Sequence, residues 1–491
     1  MSKSVISRTC WWTKLRPALE VALLFVLVAG ARPCSACFSI VVGKKASVDG
    51  YVLVAHNEDD TAPQIVNHHK IPRQKHAPGE KVQLRNGGVL DEVEETWACL
   101  WSEMPGMLFS DSYINEWGVS VTSDNCPSRE DNPEITDGGI GYMLRRLVAL
   151  RAKTAREGVL LAGKLVEQFG YIDSGRTYVI CDPDEGWLFA VVSGKHWLAQ
   201  RVADGEVAMV ANTYTIRQID LTDTTRFFGS KDIIEYAKSR GWYDPLKNGA
   251  FDFAAAYANP ISARSLSNLG RQADGLRYVS PKRIRANEKL PFSVAPNRKI
   301  GVADLMQILR HDKERANVSP PEISCPICSG ATQTSFVAQL RRGMPLDVGI
   351  VYWVCLASPR TSFYIPFHFG IPDFPQGFRS MSERPSQQTY DAHVGSPFKA
   401  EPLQAFWTFS NFYHKLDGAP VGIIERAKTR AARIEKDAFS RQGAVEQAAL
   451  RLYTQDKSAA AKMLADYSDG IYLSCLKAME SIISESADAK K

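Results

Sequence analysis

From about residue 37, the chain alternates short apolar runs with polar turns. Residues 38–43 and 50–55 are apolar and flank a polar stretch at 44–49. This pattern predicts a β-hairpin with a longer loop. Further strands with apolar runs or alternation are predicted at 119–122, 178–181, 187–192, 196–201, 207–211, 334–340 and 348–357. The three from 178 to 201 follow one another across short turns, which indicates an antiparallel meander.

Helical periodicity appears in the middle and at the end of the chain. Apolar residues recur at helical spacing over 140–170, where Thr154 and Glu157 form a capping pattern for the second of two helices. Residues 251–277 form a further helical candidate. After a Pro- and Ser-rich stretch from about 375 to 402, long amphipathic helices are predicted at 427–452 and 459–484. Strands, a helix pair, more strands and final helices favour an α+β layered fold.

Residues 1–36 have the pattern of a removed leader. Lys14 and Arg16 precede an apolar run at 18–31, and Cys34-Ser35-Ala36 supplies small residues for a cut. The apolar run is shorter than the roughly 20 residues of a membrane-spanning helix, so a permanent anchor is the less favoured alternative. A lipid-modified Cys37 is another. We expect export to a secreted, periplasmic or lysosomal location, with no stable membrane association after the leader is removed.

Cleavage after Ala36 would give Cys37 a free α-amine beside its thiol. The amine titrates near pH 8 and can accept the thiol proton, so one residue would hold both nucleophile and base. Polar side chains follow several predicted strands: Asp59 after the second, Asn125 after the strand at 119–122, and Asn212 after that at 207–211. A carboxylate could hold the amine, and neutral amides are good oxyanion donors.

Composition narrows the class of function. The 491 residues are 45% hydrophobic and 23% charged, with a net charge of +5. This small excess, without a basic stripe, gives no reason to expect a nucleic-acid partner. Of the ten cysteines, Cys325 and Cys328 are closely spaced, but no second pair or suitably spaced histidines accompany them. We therefore expect no metal and no cofactor.

Several motifs together resemble one family. The run CFSIVVGKKASVDG at 37–50, followed by AHNED at 55–59, resembles the amino-terminal signature of the C69 dipeptidase family, which includes the secernin-like proteins. Later similar stretches are NEWGVSV at 115–121, KTARE at 153–157, DPDEGW at 182–187, GKHWLAQR at 194–201, ANTYTIR at 211–217 and TQTSFVAQLR at 332–341. Their order and spacing, from 37 to about 369, carry the resemblance.

This resemblance implies an N-terminal-nucleophile hydrolase with a four-layer αββα sandwich. The catalytic domain would be 37–375, followed by a connection and a C-terminal helical region at 376–491. The implied catalytic residues are Cys37, Asp59, Asn125, Asn212 and Arg271. Arg264 is the alternative for the last of these.

The chain departs from the family pattern at His56, where the family has arginine. We place His56 in substrate binding, and we expect it to be mostly neutral at pH 7. This would weaken carboxylate binding or thiol activation, or move the pH optimum to the acidic side. A histidine that only fills the space of the arginine is an equal alternative.

The resemblance favours a cysteine-type dipeptidase acting on small peptides. One alternative is an amidohydrolase of the same superfamily that cleaves N-acyl amides or cell-wall fragments. Another is an inactive, secernin-like interaction protein. A redox pair of Cys34 and Cys37 is a weaker idea that leader removal would eliminate. The C-terminal helices could pack on the catalytic domain or form a homo-oligomer.

Overall fold

A computed structural model describes residues 37–60, 66–104, 111–280, 282–312, 325–379 and 404–488. The predicted leader at 1–36 and residues 380–403 of the predicted connection lie outside the described residues. The boundary at 375 therefore stays a prediction.

The described strands form two large antiparallel sheets and two small ribbons. The strands are β1 (Phe38–Val42), β2 (Val52–Asp59), β3 (Asn67–Ile71), β4 (Gln74–Lys75), β5 (Lys81–Gln83), β6 (Val89–Asp91), β7 (Glu95–Thr96), β8 (Cys99–Glu103), β9 (Ser112–Asn115), β10 (Ser120–Asn125), β11 (Tyr171–Cys181), β12 (Gly186–Gly194), β13 (Trp197–Arg201), β14 (Val207–Val210), β15 (Phe227–Gly229), β16 (Ser293–Val294), β17 (Thr332–Leu340), β18 (Ile350–Leu356) and β19 (Ile365–His368). The seven-stranded sheet has the order β16-β14-β1-β2-β17-β18-β19, and the eight-stranded sheet has the order β15-β13-β12-β11-β10-β9-β8-β3.

Helices lie between and after these strands. They are α1 (Met143–Arg151), α2 (Ala155–Phe169), α3 (Ile233–Ser239), α4 (Pro245–Asn248), α5 (Phe253–Tyr257), α6 (Pro260–Arg264), α7 (Leu266–Val279), α8 (Val302–Leu309), α9 (Leu346–Gly349), α10 (Ala405–Leu416), α11 (Val421–Tyr453) and α12 (Lys457–Asp488). The candidate at 251–277 is thus three helices rather than one. Asn259 caps the helix that begins at Pro260, and Ser265 caps the next.

The predicted hairpin is confirmed, and its two strands lie in the middle of the seven-stranded sheet. β1 pairs antiparallel with β2, with Phe38 opposite Asn57 and Ser39 opposite His56. Side chains alternate between the two faces of a strand. Ser39 consequently points toward the eight-stranded sheet, where it contacts Asp124, while Phe38 points outward toward α7.

The two sheets pack face to face and helices cover both outer faces. Across the interface, the Ser112 and Tyr352 hydroxyls are 3.0 Å apart. On the outside of the eight-stranded sheet, α1 and α2 bury an apolar cluster with the strands. The predicted cap of α2 is present, since the Thr154 side chain accepts a hydrogen bond from the Glu157 amide. These layers give the αββα sandwich expected from the resemblance.

The C-terminal helices pack on the outer face of the seven-stranded sheet. Trp353 of β18 packs against Phe439 of α11, with the ring centroids 4.3 Å apart. Ser468 of α12 donates a hydrogen bond of 2.7 Å to the carbonyl of Pro366. The two long predicted helices are therefore present and share the core of the sheet. Among the described residues, no helix combines the length and apolar character needed to span a membrane.

Candidate active site

Cys37 lies directly before β1, at the edge where both sheets present polar side chains. Its side chain is buried, and its Sγ lies 3.5 Å from Oε2 of Glu58 and 3.8 Å from the carbonyl oxygen of Asp59. Burial, together with the negative charges of Glu58, Asp124 and Asp59, raises the pKa of the Cys37 thiol well above its ordinary value. A neighbouring proton acceptor is therefore required to make this sulfur a nucleophile.

Arg271 joins the nucleophile to the predicted asparagines. This buried arginine on α7 donates from Nη1 to the carbonyl oxygen of Cys37 at 2.7 Å. Its Nη2 donates to Oδ1 of Asn212 and Oδ1 of Asn268, both at 2.9 Å. The planar guanidinium holds these groups in fixed relation because its donors form a rigid fork.

The two predicted asparagines meet at adjacent strand ends of opposite sheets. Asn212 follows β14, and its Nδ2 donates to the backbone carbonyl of Asn125 at 2.9 Å. Asn125 ends β10 and exposes its side chain, whose Oδ1 accepts a hydrogen bond from Ser174 at 3.3 Å. The Nδ2 of Asn212 has two N–H bonds, and one of them is used on Asn125.

Asp59 ends β2 beside the same edge. Its Oδ2 lies 3.5 Å from the Ser329 hydroxyl. Burial raises the pKa of Asp59 to about 7, against the opposing effects of Thr332 and the positive charge of Arg271. A carboxyl group that changes charge near neutral pH is a suitable partner for an amine or thiol at this position.

His56 lies beneath Cys37, between the two sheets, and its side chain is fully buried. Ser39 donates its hydroxyl hydrogen to Asp124 Oδ2 at 2.6 Å and so accepts from His56 Nδ1 at 2.8 Å. His56 Nε2 lies 3.0 Å from Glu58 Oε2 and 3.2 Å from Asp111 Oδ1. Both ring nitrogens are therefore donors, and the ring is an imidazolium.

This arrangement corrects two expectations about His56. Burial alone would lower its pKa, but hydrogen bonding to Asp111 and Glu58 and the charges of Asp111 and Asp124 raise it to about 10. The side chain is thus a cation at pH 7 rather than mostly neutral. With no exposed surface and both nitrogens occupied, it lies beneath the nucleophile and not at a substrate surface.

Glu58 is the site residue that the sequence analysis missed. The apolar run ends the predicted second strand at residue 55, whereas β2 continues to Asp59. Counting alternate residues from Ser39 and His56 would have placed Glu58 on the inner face opposite Cys37. Its Oε2 accepts from both the thiol and His56, which gives a continuous chain from Cys37 through Glu58 to His56.

We name the inter-sheet group of Ser39, His56, Glu58, Asp111 and Asp124 the histidine cluster. Burial raises the pKa of Asp124 to about 7, and it also raises the pKa of Glu58. Arg145 of α1 reaches this region, with Nη1 at 2.5 Å from the carbonyl oxygen of Asp111.

One group of side chains has the spacing of metal ligands, since ligand atoms of Cys37, His56 and Glu58 lie within 4.8 Å of one another. Metal binding would require neutral imidazole. The His56 protons instead favour an ion-pair cluster.

The structure thus brings Cys37, Asp59, Asn125, Asn212 and Arg271 to one edge of the sandwich. Arg264, the alternative to Arg271, lies at the end of α6 and lines a separate cavity. The contact with the Cys37 carbonyl therefore selects Arg271 as the arginine of this site.

Comparison with known proteins shows the family of this chain. A family model described as peptidase family C69 matches residues 36–393. The chain belongs to peptidase family C69. It is an enzyme of the cysteine-type peptidase and amidohydrolase class.

Relatives within this family have related names. A "probable dipeptidase" of Salmonella dublin is 27% identical over 373 residues, covering 72% of this chain and 85% of the relative. A "probable dipeptidase" of Latilactobacillus sakei is 26% identical, covering 71% and 77%. A "probable dipeptidase B" of Streptococcus pyogenes serotype M1 is 23% identical, covering 77% of each.

Two solved structures show a distant likeness. Penicillin V acylase from Agrobacterium tumefaciens has a TM-score of 0.34 at 13% identity, covering 68% of this chain and 86% of the acylase. A mutant conjugated bile acid hydrolase from Clostridium perfringens has a TM-score of 0.32 at 12% identity, covering 65% and 89%.

Proposed function

We propose that this C69 peptidase hydrolyses small peptides, dipeptides above all, with Cys37 as an N-terminal nucleophile exposed by cleavage after Ala36. The observation that carries the proposal is the Arg271 fork, which ties the Cys37 carbonyl to Asn212 beside Asp59 and Asn125. The names of the relatives support a dipeptide substrate.

In the first half of the reaction, the Cys37 sulfur attacks the peptide carbonyl carbon. The thiol proton passes to the α-amine of Cys37, and the carbonyl oxygen becomes an oxyanion. The Asn212 and Asn125 side-chain amides are the proposed oxyanion donors. Collapse breaks the C–N bond, the ammonium returns its proton to the leaving nitrogen, and a thioester remains on Cys37.

In the second half, water attacks the thioester carbonyl and gives its proton to the α-amine. Collapse of this intermediate breaks the C–S bond, releases the carboxylic acid, and returns the proton to sulfur. The backbone carbonyl of Asp59 accepts from the Cys37 thiol, and Arg271 donates to the Cys37 carbonyl. Both residues therefore hold Cys37 in position. The free amine is essential in this scheme, since an amide nitrogen cannot accept a proton.

The histidine cluster supports the same chemistry from beneath. The His56 cation holds the Glu58 carboxylate 3.0 Å away, and Glu58 contacts the thiol. This fixes the sulfur in one orientation and keeps an acceptor beside it. We assign His56 and Glu58 as positioning residues. We also propose export of the protein, because the enzyme needs the cut that a removed leader would provide.

The experiment is a hydrolysis assay of the mature protein with a panel of dipeptides and matching N-acyl amino acids. Dipeptide hydrolysis is expected, with Cys37→Ala lowering kcat/KM by about 10⁴-fold or more. Cys475→Ala, in α12, is the matched control and should retain activity. Cleavage of the N-acyl substrates alone would contradict the dipeptidase proposal in favour of the amidohydrolase. Equal activity of Cys37→Ala and wild type would contradict the nucleophile.

A further inference from the structure

A cavity of about 300 Å³ lies beside the loops that carry the two asparagines. We name it the arginine cavity, since Arg129, Arg217 and Arg264 line it. Thr213 also lines it, immediately after Asn212, and Leu269 lines it between Asn268 and Arg271. The cavity therefore borders the same chain segments that hold the fork of the active site. Its volume suits a small ligand group.

The charge of this cavity is unbalanced. Among the described residues, its lining contains three guanidinium groups and no carboxylate. Asp252 approaches Arg217 at 3.5 Å from outside the lining, but it also forms an ion pair with Lys289. Arg129 contacts the Ala256 carbonyl at 3.4 Å, which leaves its charge uncompensated. A concave surface with this surplus attracts anions.

Several donors of the cavity wall have no acceptor. The Arg264 side chain is exposed at the cavity and makes no hydrogen bond or ion pair with any residue that the structure describes, so its guanidinium is available to a ligand. Thr213 is buried, and its Oγ1 finds no hydrogen-bond partner within the described chain; the same holds for Nε of Arg217. Leaving the buried Thr213 hydroxyl and the Arg217 Nε without acceptors costs stability. A ligand with two or more acceptor oxygens would satisfy them.

We propose that the arginine cavity binds the free carboxylate of the amino acid that leaves in the reaction. This deepens the proposed function and rests on it. Arginine forks recognise carboxylates through paired hydrogen bonds. The position of the cavity also fits, because Thr213 in its lining directly follows Asn212. The Arg271 guanidinium connects Asn212 to the Cys37 carbonyl. Such recognition would restrict cleavage to substrates that end one residue after the scissile bond.

The test compares substrates that differ only at this group: a free dipeptide and its C-terminal amide, and an N-acyl amino acid and its amide. Wild-type enzyme should show a KM about 10- to 100-fold lower for the free acid of whichever scaffold it cleaves. Arg264→Gln should remove this preference with little change in kcat, and Arg264→Lys should restore part of it. Arg433→Gln, an exposed charge removal on α11, is the control and should keep the preference.

Equal KM values for acid and amide in wild-type enzyme would overturn the cavity proposal while leaving the hydrolase intact. An equal rise of both KM values in Arg264→Gln would also overturn it. If neither scaffold is cleaved, the proposed function fails, and calorimetric titration with N-acetyl-alanine decides the cavity alone. Binding that Arg264→Gln weakens would support the carboxylate site, and no binding to wild type would overturn it.

Discussion

Two buried histidines on the same sheet have opposite charge behaviour. His56 on β2 and His368 on β19 are both fully buried, and each Nε2 lies close to a glutamate, at 3.0 Å from Glu58 and 3.1 Å from Glu446. The pKa of His56 rises to about 10. The pKa of His368 is lowered by its burial, which outweighs the effect of Glu446.

The difference comes from the other neighbours. Glu446 is already paired with Arg341, whose Nη1 lies 2.7 Å from Oε2, so His368 remains the neutral member of a balanced group. His56 instead faces Glu58, Asp111 and Asp124. The Arg341–Glu446 ion pair fixes α11 to the seven-stranded sheet, whereas the histidine cluster concentrates negative charge beneath Cys37. Charge balance around a buried group, rather than burial alone, distinguishes the candidate site from the scaffold.

The largest effect on stability is expected from breaking the ion pair of Arg341 and Glu446. Glu446→Gln leaves the Arg341 charge without its carboxylate in a mostly buried place. We expect the free energy of unfolding to fall by about 3 kcal/mol, at the low end for a broken buried pair, since Arg341 keeps backbone acceptors at Gly349 and Val348. Urea unfolding measures this. The folded variant should keep wild-type kcat/KM, and a large loss of activity in fully folded protein would contradict the distinction.

The next effect is on activity. His56→Gln removes the cation that holds Glu58 beside the thiol, and we expect kcat/KM to fall by ~100-fold, about 2.7 kcal/mol of transition-state stabilisation. His56→Arg restores a cation and should recover part of the activity. The matched control is His368→Gln, which should remain active. Similar activities of the two glutamine variants would refute the proposed role of His56.

The two regions should respond to pH in opposite directions. The pKa of His56 is raised from 6.5 to about 10, so its contribution to stability is full below pH 6.5 and is lost as pH rises through 10. Burial raises the pKa of Glu446, but His368 and Arg341 outweigh it and lower it from 4.5 to about 2. Its contribution is therefore full above pH 4.5 and is lost as pH falls through 2.

The unfolding free energies of wild type, His56→Gln and Glu446→Gln at several pH values measure both contributions. The difference between wild type and His56→Gln should shrink between pH 6.5 and 10. The difference between wild type and Glu446→Gln should shrink between pH 4.5 and 2. Differences that do not change with pH, or that change in the same direction, would contradict the assignment of charges.

The smallest effect is expected for a single hydroxyl of the histidine cluster. Ser39→Ala removes the acceptor of His56 Nδ1 and a donor to Asp124, which should cost about 1–2 kcal/mol of stability and lower kcat/KM by up to ~10-fold. Ser468→Ala removes a buried hydrogen bond to the Pro366 carbonyl and is the control. It should lower stability similarly without changing kcat/KM. Equal activities of the two variants would contradict a role of Ser39 in the active site.

The sequence predicts the scaffold well wherever apolar periodicity is clear. The hairpin of β1 and β2, the meander from β11 to β13, the capped α2 and the two long terminal helices all follow from local patterns. The resemblance to the C69 signature adds the layered fold. Interruptions within a helical segment are harder to predict. The helical candidate at 251–277 divides because new helices begin at Pro260 and after Ser265.

The charges of the site residues could not be predicted from the local sequence. The run from His56 to Asp59 is polar, but pairing with β1 and β17 of the same sheet holds it as a strand, and Asp111 beside the other sheet forms an ion pair with His56. Asp111 and Asp124 reach His56 only through the stacking of the two sheets. Sequence alone therefore singled out His56 but predicted a mostly neutral side chain, whereas its neighbours raise its pKa to about 10.

The most direct measurement compares two forms of the enzyme that differ by one residue at the amino terminus. One begins at Cys37, and the other retains Ala36, with intact mass confirming each. The account predicts dipeptide hydrolysis by the first form and essentially none by the second, because only the first has a free amine beside the thiol. Equal turnover by both forms would contradict an amine-assisted Cys37 as the centre of this enzyme.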